Sequence, residues 1–219
     1  MNTYTEENYL KVIFNLSIAK AEVNVNEISR QLALKMPTVN SMMKRLADKG
    51  LIRYERYKPV RLTQKGKKEA ALIIRKHRLT EMFLVEKMGF GWDEVHDIAE
   101  QIEHVHSPAF FAKMDELLGY PKLDPHGSPI PDKNGKVAPT EYQKLSDCAA
   151  GDRVIFTAVS HASDDFLKFL NARELALNTL IKIKSKEAFD GSMVIEYAKR
   201  KPETLSRLAC DKIWVKPAK

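Results

Sequence analysis

The chain has 219 residues, 44% hydrophobic and 30% charged, with a formal net charge of +7. That composition suits one large domain or two to three small ones. It excludes a membrane-spanning helix, because no apolar run approaches the ~20 residues a span needs. It also excludes a disulfide framework, because Cys148 and Cys210 are the only cysteines.

The opening stretch MNTYTEENYL lacks the basic start and apolar core of a signal peptide. With so few cysteines, the expected location is a reducing cytoplasm. Neither cysteine lies in a CxxC, which argues against a thiolate zinc site. Thr5 is placed to cap a first helix, with Glu6 and Glu7 in its first turn and Tyr9, Val12, Ile13 and Leu16 on one apolar face.

A second helix is predicted over 25–33, with Ile28 and Leu32 inward. After the break at LKM, Pro37 suits the first turn of a third helix and Gly50 its end. Val39, Met42, Met43 and Leu46 form the core stripe of that helix. Its other face carries Thr38, Asn40, Ser41, Lys44 and Arg45. LIRYERYKPVRLT then reads as two short strands about a turn containing Pro59. Helix, turn, helix and wing together describe a winged helix-turn-helix.

The charge agrees with that reading. Between Lys35 and Lys68 stand eleven Lys/Arg and two acids, a net +9 that leaves −2 for the rest of the chain. A basic block in an otherwise near-neutral chain is the footprint of a polyanion partner. Lys35, Pro37, Thr38, Asn40 and Ser41 open the second helix of the motif, where short polar side chains meet base edges. Lys44, Arg45, Arg53, Arg56, Lys58 and Arg61 suit phosphates, which position without specifying. The plainer alternative is a helical hairpin with a solvated lysine-rich surface.

From Lys65 a long helix is predicted to about Met88, then a break at FGWDEV, a helix from about Asp93 to Val105, and another beginning at Ser107-Pro108. His77 and Glu81 are four apart and share a face. His96, Glu100, Glu103 and His104 fall at i, i+4, i+7 and i+8. VHDIAEQIEHVH holds three of the chain's six histidines. If these helices pack side by side, imidazoles and carboxylates converge on a metal site without sulfur, suited to Mn²⁺, Fe²⁺, Co²⁺, Ni²⁺ or Zn²⁺. The alternatives are a charged solvated helix and a di-metal carboxylate enzyme. The latter needs two Glu-x-x-His pairs, and only Glu103 with His106 fits. No Ser-His-Asp, Cys-His, P-loop or GxGxxG arrangement appears, so no enzyme is expected.

Pro, Gly and Asp are dense from Gly119 to Lys144, an ordered turn at DPHGSPIP followed by a linker. Beyond it DRVIFTAV, TLIKIKS, SMVIEYA and DKIWVK read as strands, with the helix DDFLKFLNAR between the first two. That pattern suggests a small β-barrel. Asn178, just before TLIKIKS, is a residue that tolerates the left-handed backbone of a turn.

A winged helix followed by clustered metal ligands resembles the diphtheria toxin repressor family of metal-dependent transcriptional repressors. The resemblance rests on MPTVNSMMKRLADKGLI, RKHRLTE, VHDIAEQIEHV, DPHGSPIP and the segment from Leu145. It implies a mainly α fold with a small β part: a winged helix-turn-helix DNA-binding domain (1–64), a helical metal-binding and dimerisation domain (65–122), a linker (123–144) and an SH3-like, FeoA-like domain (145–219). It implies a homodimer reading a palindromic operator in double-stranded DNA, with Phe110, Phe111, Met114, Leu117 and Leu118 as the dimerising face, and control of metal-uptake genes.

Carried over by position, the family's ancillary site implies His77, Glu81 and His96, with Asp165 from the C-terminal domain and His161 and Asp164 nearby. The primary site implies Glu100, Glu103 and His104 with Asn8 from the first helix, so two ions per subunit. Manganese-responsive members carry glutamate at position 100, which favours Mn²⁺ here with Fe²⁺ as the alternative. They also tend to carry acids at positions 8 and 11, where this chain has Asn8 and Lys11. His106 and His126 match no ligand of the family. The remaining alternatives are a winged-helix regulator indifferent to metal, a metalloenzyme and a metal buffer.

Overall fold

The computed structural model describes residues 2–19, 22–160, 163–198 and 200–218. In chain order the helices are α1 (Tyr4–Ala19), α2 (Val25–Gln31), α3 (Met36–Asp48), α4 (Gln64–Met88), α5 (His96–Ile102), α6 (Pro108–Leu117), α7 (Asp164–Asn171) and α8 (Arg207–Lys212). The strands are β1 (Ile52–Arg53), β2 (Arg61–Leu62), β3 (Gln143–Lys144), β4 (Arg153–Val159), β5 (Leu180–Lys186), β6 (Met193–Tyr197), β7 (Glu203–Leu205) and β8 (Ile213–Pro217). They fall into two compact units: Met1–Thr80 with Ala99–Lys122 and Ile130–Ala138, and Glu81–Ile98 with Leu123–Pro129 and Pro139–Lys219. No helix among the described residues is long and apolar enough to cross a membrane.

In the first unit the cap of α1 is Thr3, not Thr5. Thr3 Oγ1 accepts from the Glu6 amide, and Glu6 Oε2 accepts from the Thr3 amide at 2.7 Å. This reciprocal pair satisfies two free amides and starts the helix two residues earlier than expected. Asn24 and Glu27 form the same device on α2. Pro37 enters the first turn of α3, and Gly50, at φ +69°, turns the chain out of it.

The wing pairs β1 with β2 antiparallel, and Val23 adds a bridge to Val60 through two backbone hydrogen bonds of 2.8 and 3.0 Å. The segment before α2 thus becomes a third rung of the wing. Tyr9, Leu10, Ile13, Ile28, Val39, Met43, Leu46 and Leu51 are buried beneath α1–α3 and the wing. At Gly66 a Cβ would stand 1.9 Å from the Leu51 carbonyl oxygen, so only glycine lets α4 start this close to the wing.

α5 is shorter than predicted. It ends at Ile102, and the Val105 amide bonds back to the Ile102 carbonyl. Glu103 and His104 therefore sit in a turn beyond the helix, not along one helical face. On α6, Phe111 and Met114 are buried in their own unit, while Phe110 and Leu117 are 45% and 53% exposed. The expected dimerising face is thereby reduced by two residues.

The second unit holds an antiparallel six-stranded sheet in the order β3-β8-β4-β5-β6-β7. The register shifts between Phe156 and Ala158 on β4 and between Ile183 and Ser185 on β5, irregularities that bend a sheet around its core. Phe156, Leu170, Ile181, Ile195 and Val215 lie in that core. Strands β3 and β7 and helix α8 are too short to announce themselves in the sequence. Asn178 has φ +68°, as the turn before β5 requires.

Candidate metal centres and nucleic-acid interface

α1 and the turn after α5 build one cluster, wholly within the first unit. Glu100, Glu103 and His104 offer donor atoms that all lie within 4.8 Å of one another. Glu103 is fully buried, with Lys11 Nζ 2.8 Å and His77 Nδ1 2.5 Å from its carboxylate. Burial alone would raise the Glu103 pKa. The hydrogen bond from His77 and the charge of Lys11 outweigh it, so the carboxyl is held below its ordinary range. His77 thus serves as a neighbour of Glu103 in this unit, whereas Glu81 and His96 belong to the other.

The structure adds a residue that sequence reasoning missed. Glu7 is buried, and its Oε2 lies 2.6 Å from His104 Nδ1. The signal was available: Glu7 and Lys11 are four apart on α1 and share a face. Lys11 also pairs with Glu100. Asn8, the expected α1 contributor, keeps Oδ1 buried without a hydrogen-bond partner among the described residues, and His104 Nε2, likewise without a hydrogen bond, stands 3.4 Å from Glu103 Oε1. A buried polar atom left alone costs about 1–3 kcal/mol. A cation held by Glu100, Glu103 and His104 would draw on the His104 Nε2 lone pair, and a donor set of oxygen and nitrogen suits a hard or borderline divalent ion. The residues fit a metal.

A second cluster lies in the other unit. Glu81, Asp124 and His126 likewise place one donor atom each within 4.8 Å of the others, and Glu81 and Asp124 are buried. Asp124 Oδ1 accepts from the amides of His126 and Ser128, each at 2.9 Å, which shapes the DPHG turn. The Val159 amide donates to the His126 carbonyl at 3.0 Å and ties that turn to β4. His126 Nε2 lies 2.8 Å from the Trp92 carbonyl oxygen, leaving Nδ1 toward Glu81 at 3.6 Å. A carbonyl holding one ring nitrogen is how ligating imidazoles are oriented. Burial lowers the His126 pKa, but the Glu81 carboxylate, with help from Asp124, brings it above the ordinary imidazole value.

His96 Nδ1 lies 3.4 Å from Glu81 Oε1, with the side chain 58% exposed. Asp165 is exposed on α7 and joins no metal-ligand cluster among the described residues, and His161 lies outside those residues. His106 is exposed. Asp124 and His126 were missed because the turn alone brings them to Glu81, more than forty positions earlier in the chain.

The basic surface is on α3 and the wing. Lys35, Pro37, Thr38, Ser41, Lys44, Arg45, Arg53, Arg56, Lys58 and Arg61 are exposed, and Asn40 is half-buried. Tyr54, from the wing, donates its hydroxyl to Asn40 Oδ1 at 2.9 Å, so the wing fixes which way that amide faces. Arg45 Nε is 2.7 Å from Glu6, Arg61 pairs with Glu22, and Lys58 is 2.5 Å from Glu55.

Residues 1–60 match the family described as iron dependent repressor, N-terminal DNA binding domain, and residues 63–132 its metal binding and dimerisation domain. Residues 143–217 match the FeoA domain. The iron-dependent repressor IdeR of Mycobacterium leprae (strain TN) is 30% identical over 171 residues, 74% of this chain and 74% of that one. The chain belongs to the diphtheria toxin repressor family. IdeR of Mycobacterium tuberculosis (strain ATCC 25618 / H37Rv) is 35% identical over 127 residues, 58% of this chain and 55% of its own length. A solved manganese-dependent transcriptional repressor in complex with manganese superposes with a TM-score of 0.90 at 30% identity, covering 97% of this chain and 100% of the other. As a family member the chain therefore has a DNA-binding winged helix, a helical metal-binding and dimerisation part and a C-terminal FeoA-type, SH3-like β domain.

Proposed function

We propose that this chain is a metal-dependent transcriptional repressor in which a divalent cation acts as co-repressor, with Mn²⁺ preferred and Fe²⁺ the alternative. The observation that carries this reading is the convergence of donor atoms from Glu100, Glu103 and His104 within 4.8 Å of one another, with Glu103 fully buried. Glu100, Glu103, His104 and Asn8 hold one ion, and Glu7 orients His104. Glu81, Asp124 and His126, with His96, hold another. His77 braces Glu103. Bound there, the cation supplies positive charge shared between α1 and the turn after α5.

Glu7 and Glu6 adjoin on α1. Glu7 engages His104, while Glu6 engages Arg45 and Lys49 at the end of α3. One helix thereby connects the metal cluster to the helix that reads DNA. Metal shifts DNA affinity only to the extent that the DNA-competent arrangement binds metal more tightly, and a coupling of ~1–3 kcal/mol changes affinity roughly 5–150-fold. Exposed Phe110 and Leu117 on α6 support a homodimer, and a two-fold dimer reads a palindromic operator. The functional division is 1–64 for DNA, 65–122 for metal and dimerisation, 123–144 as linker and 145–219 as the modulating domain. The setting is the cytoplasm, and the target is metal-uptake genes.

The test is operator binding followed by fluorescence anisotropy, first with chelator and then with Mn²⁺ or Fe²⁺ added. Tight binding with metal and weak binding with chelator is expected. Equal binding in both conditions would identify a regulator indifferent to metal.

A further inference from the structure

Lys11 reaches from α1 into the first cluster, and only 13% of its side chain is exposed. Its ammonium pairs with Glu100 and stands 2.8 Å from Glu103 Oε1. These are two of the three side chains whose donor atoms converge there. A divalent cation needs the same carboxylate lone pairs that Lys11 holds. The two positive charges cannot share them at close range without strong repulsion, because a half-buried site screens charge poorly.

We propose that Lys11 is a tethered competitor for the divalent cation. Its ammonium keeps Glu100 and Glu103 together in the metal-free protein and leaves them when metal binds, so it sets the metal concentration at which the site fills. This rests on the reading of the cluster as a metal site. Three observations support it. Glu7, Glu100 and Glu103 bring three carboxylates close to His77 and His104, and such a group repels itself unless a cation is present. Lys11 is four residues from Glu7 on the same helix face, so its stem is anchored next to the cluster. A lysine stem has four flexible carbons, so the ammonium can swing out without moving α1.

Free Mn²⁺ is measured by its electron paramagnetic resonance signal against metal-free wild type, Lys11→Met and Lys11→Arg. Lys11→Met keeps the length and loses the charge, and it is expected to bind Mn²⁺ about tenfold tighter or more, the scale of losing one charge-assisted hydrogen-bond competitor. Lys11→Arg is expected within a few-fold of wild type. Without metal, Lys11→Met is expected to melt below wild type, and saturating Mn²⁺ is expected to erase that gap. Unchanged or weaker Mn²⁺ binding by Lys11→Met, with wild-type binding intact, overturns the competitor role alone. No Mn²⁺ bound by either protein overturns the metal-site reading and the competitor with it. Should Lys11→Met fail to fold, Lys11→Gln carries the same comparison, because its neutral amide still donates to Glu103.

Discussion

Oε2 of Glu7 lies 2.6 Å from Nδ1 of His104, 97 positions further along the chain. The contact joins the first helix to the turn that follows α5. It also leaves His104 Nε2, 3.4 Å from Glu103 Oε1, as the ring nitrogen facing the cluster. Partners that orient a ligating imidazole are worth roughly 10–100-fold in metal affinity. Glu7→Gln is expected to weaken Mn²⁺ binding by that factor, read by isothermal titration, while the circular dichroism of the metal-free protein stays unchanged. Wild-type affinity in the variant would remove Glu7 from the site.

Glu6, fully buried, is bound by Arg45 and Lys49, both at 2.7 Å. Burial would raise its pKa, but the Lys49 hydrogen bond and the Thr3 amide lower it below the ordinary value of 4.5. A depressed carboxyl pKa contributes stability that is present above the unfolded-state value and lost as pH falls through the folded one. Glu6→Gln is expected to cost about 1–2 kcal/mol near neutral pH, the lower part of the range for charged hydrogen bonds because Arg45 and Lys49 are partly solvated. Melting curves of variant and wild type are expected to converge as pH drops below the carboxylate range. A gap that persists in acid would mean that the loss is packing, not charge.

Gly127 has φ +83°, and a Cβ there would stand 2.0 Å from the Thr157 carbonyl oxygen. Gly127→Ala faces both backbone strain and a clash with β4. A loss of about 2 kcal/mol or more is expected, seen as a lower midpoint in urea. Because His126 is the preceding residue, occupancy of the second cluster is expected to fall as well. Native mass spectrometry counts the ions.

Exposed lysines and arginines on α3 and the wing are expected to make operator affinity fall steeply with salt, by a slope near −0.9 per phosphate neutralised. Arg56→Ala should reduce that slope by about one and weaken all sequences alike. Thr38→Ala should alter base preference and leave the slope as it was. The opposite pattern would exchange their roles between base reading and phosphate binding.

Much of this protein is written locally. Helical spacing announces α1, α3 and α4, and end residues mark the bounds of α3. The Pro59 turn and the clustered basic residues announce the wing, and short runs rich in apolar and β-branched residues announce β4, β5 and β6. These signals depend on neighbours a few positions apart, so a sequence carries them alone. The candidate ligands Glu100, Glu103 and His104 also stand out, because three such residues crowd into five positions.

Other features depend on contacts distant in sequence, and only the tertiary structure decided them. Which residues of α1 face the cluster is set by the rotation of that helix against the turn after α5. That rotation puts Glu7 on His104 and Lys11 on Glu100 and Glu103, and leaves Asn8 Oδ1 buried without a hydrogen-bond partner among the described residues. The turn at Asp124–Gly127 carries His126 to Glu81 because its backbone is bonded to β4, a constraint no local pattern records. Composition named the ligand types, and packing between separate elements chose which of them meet.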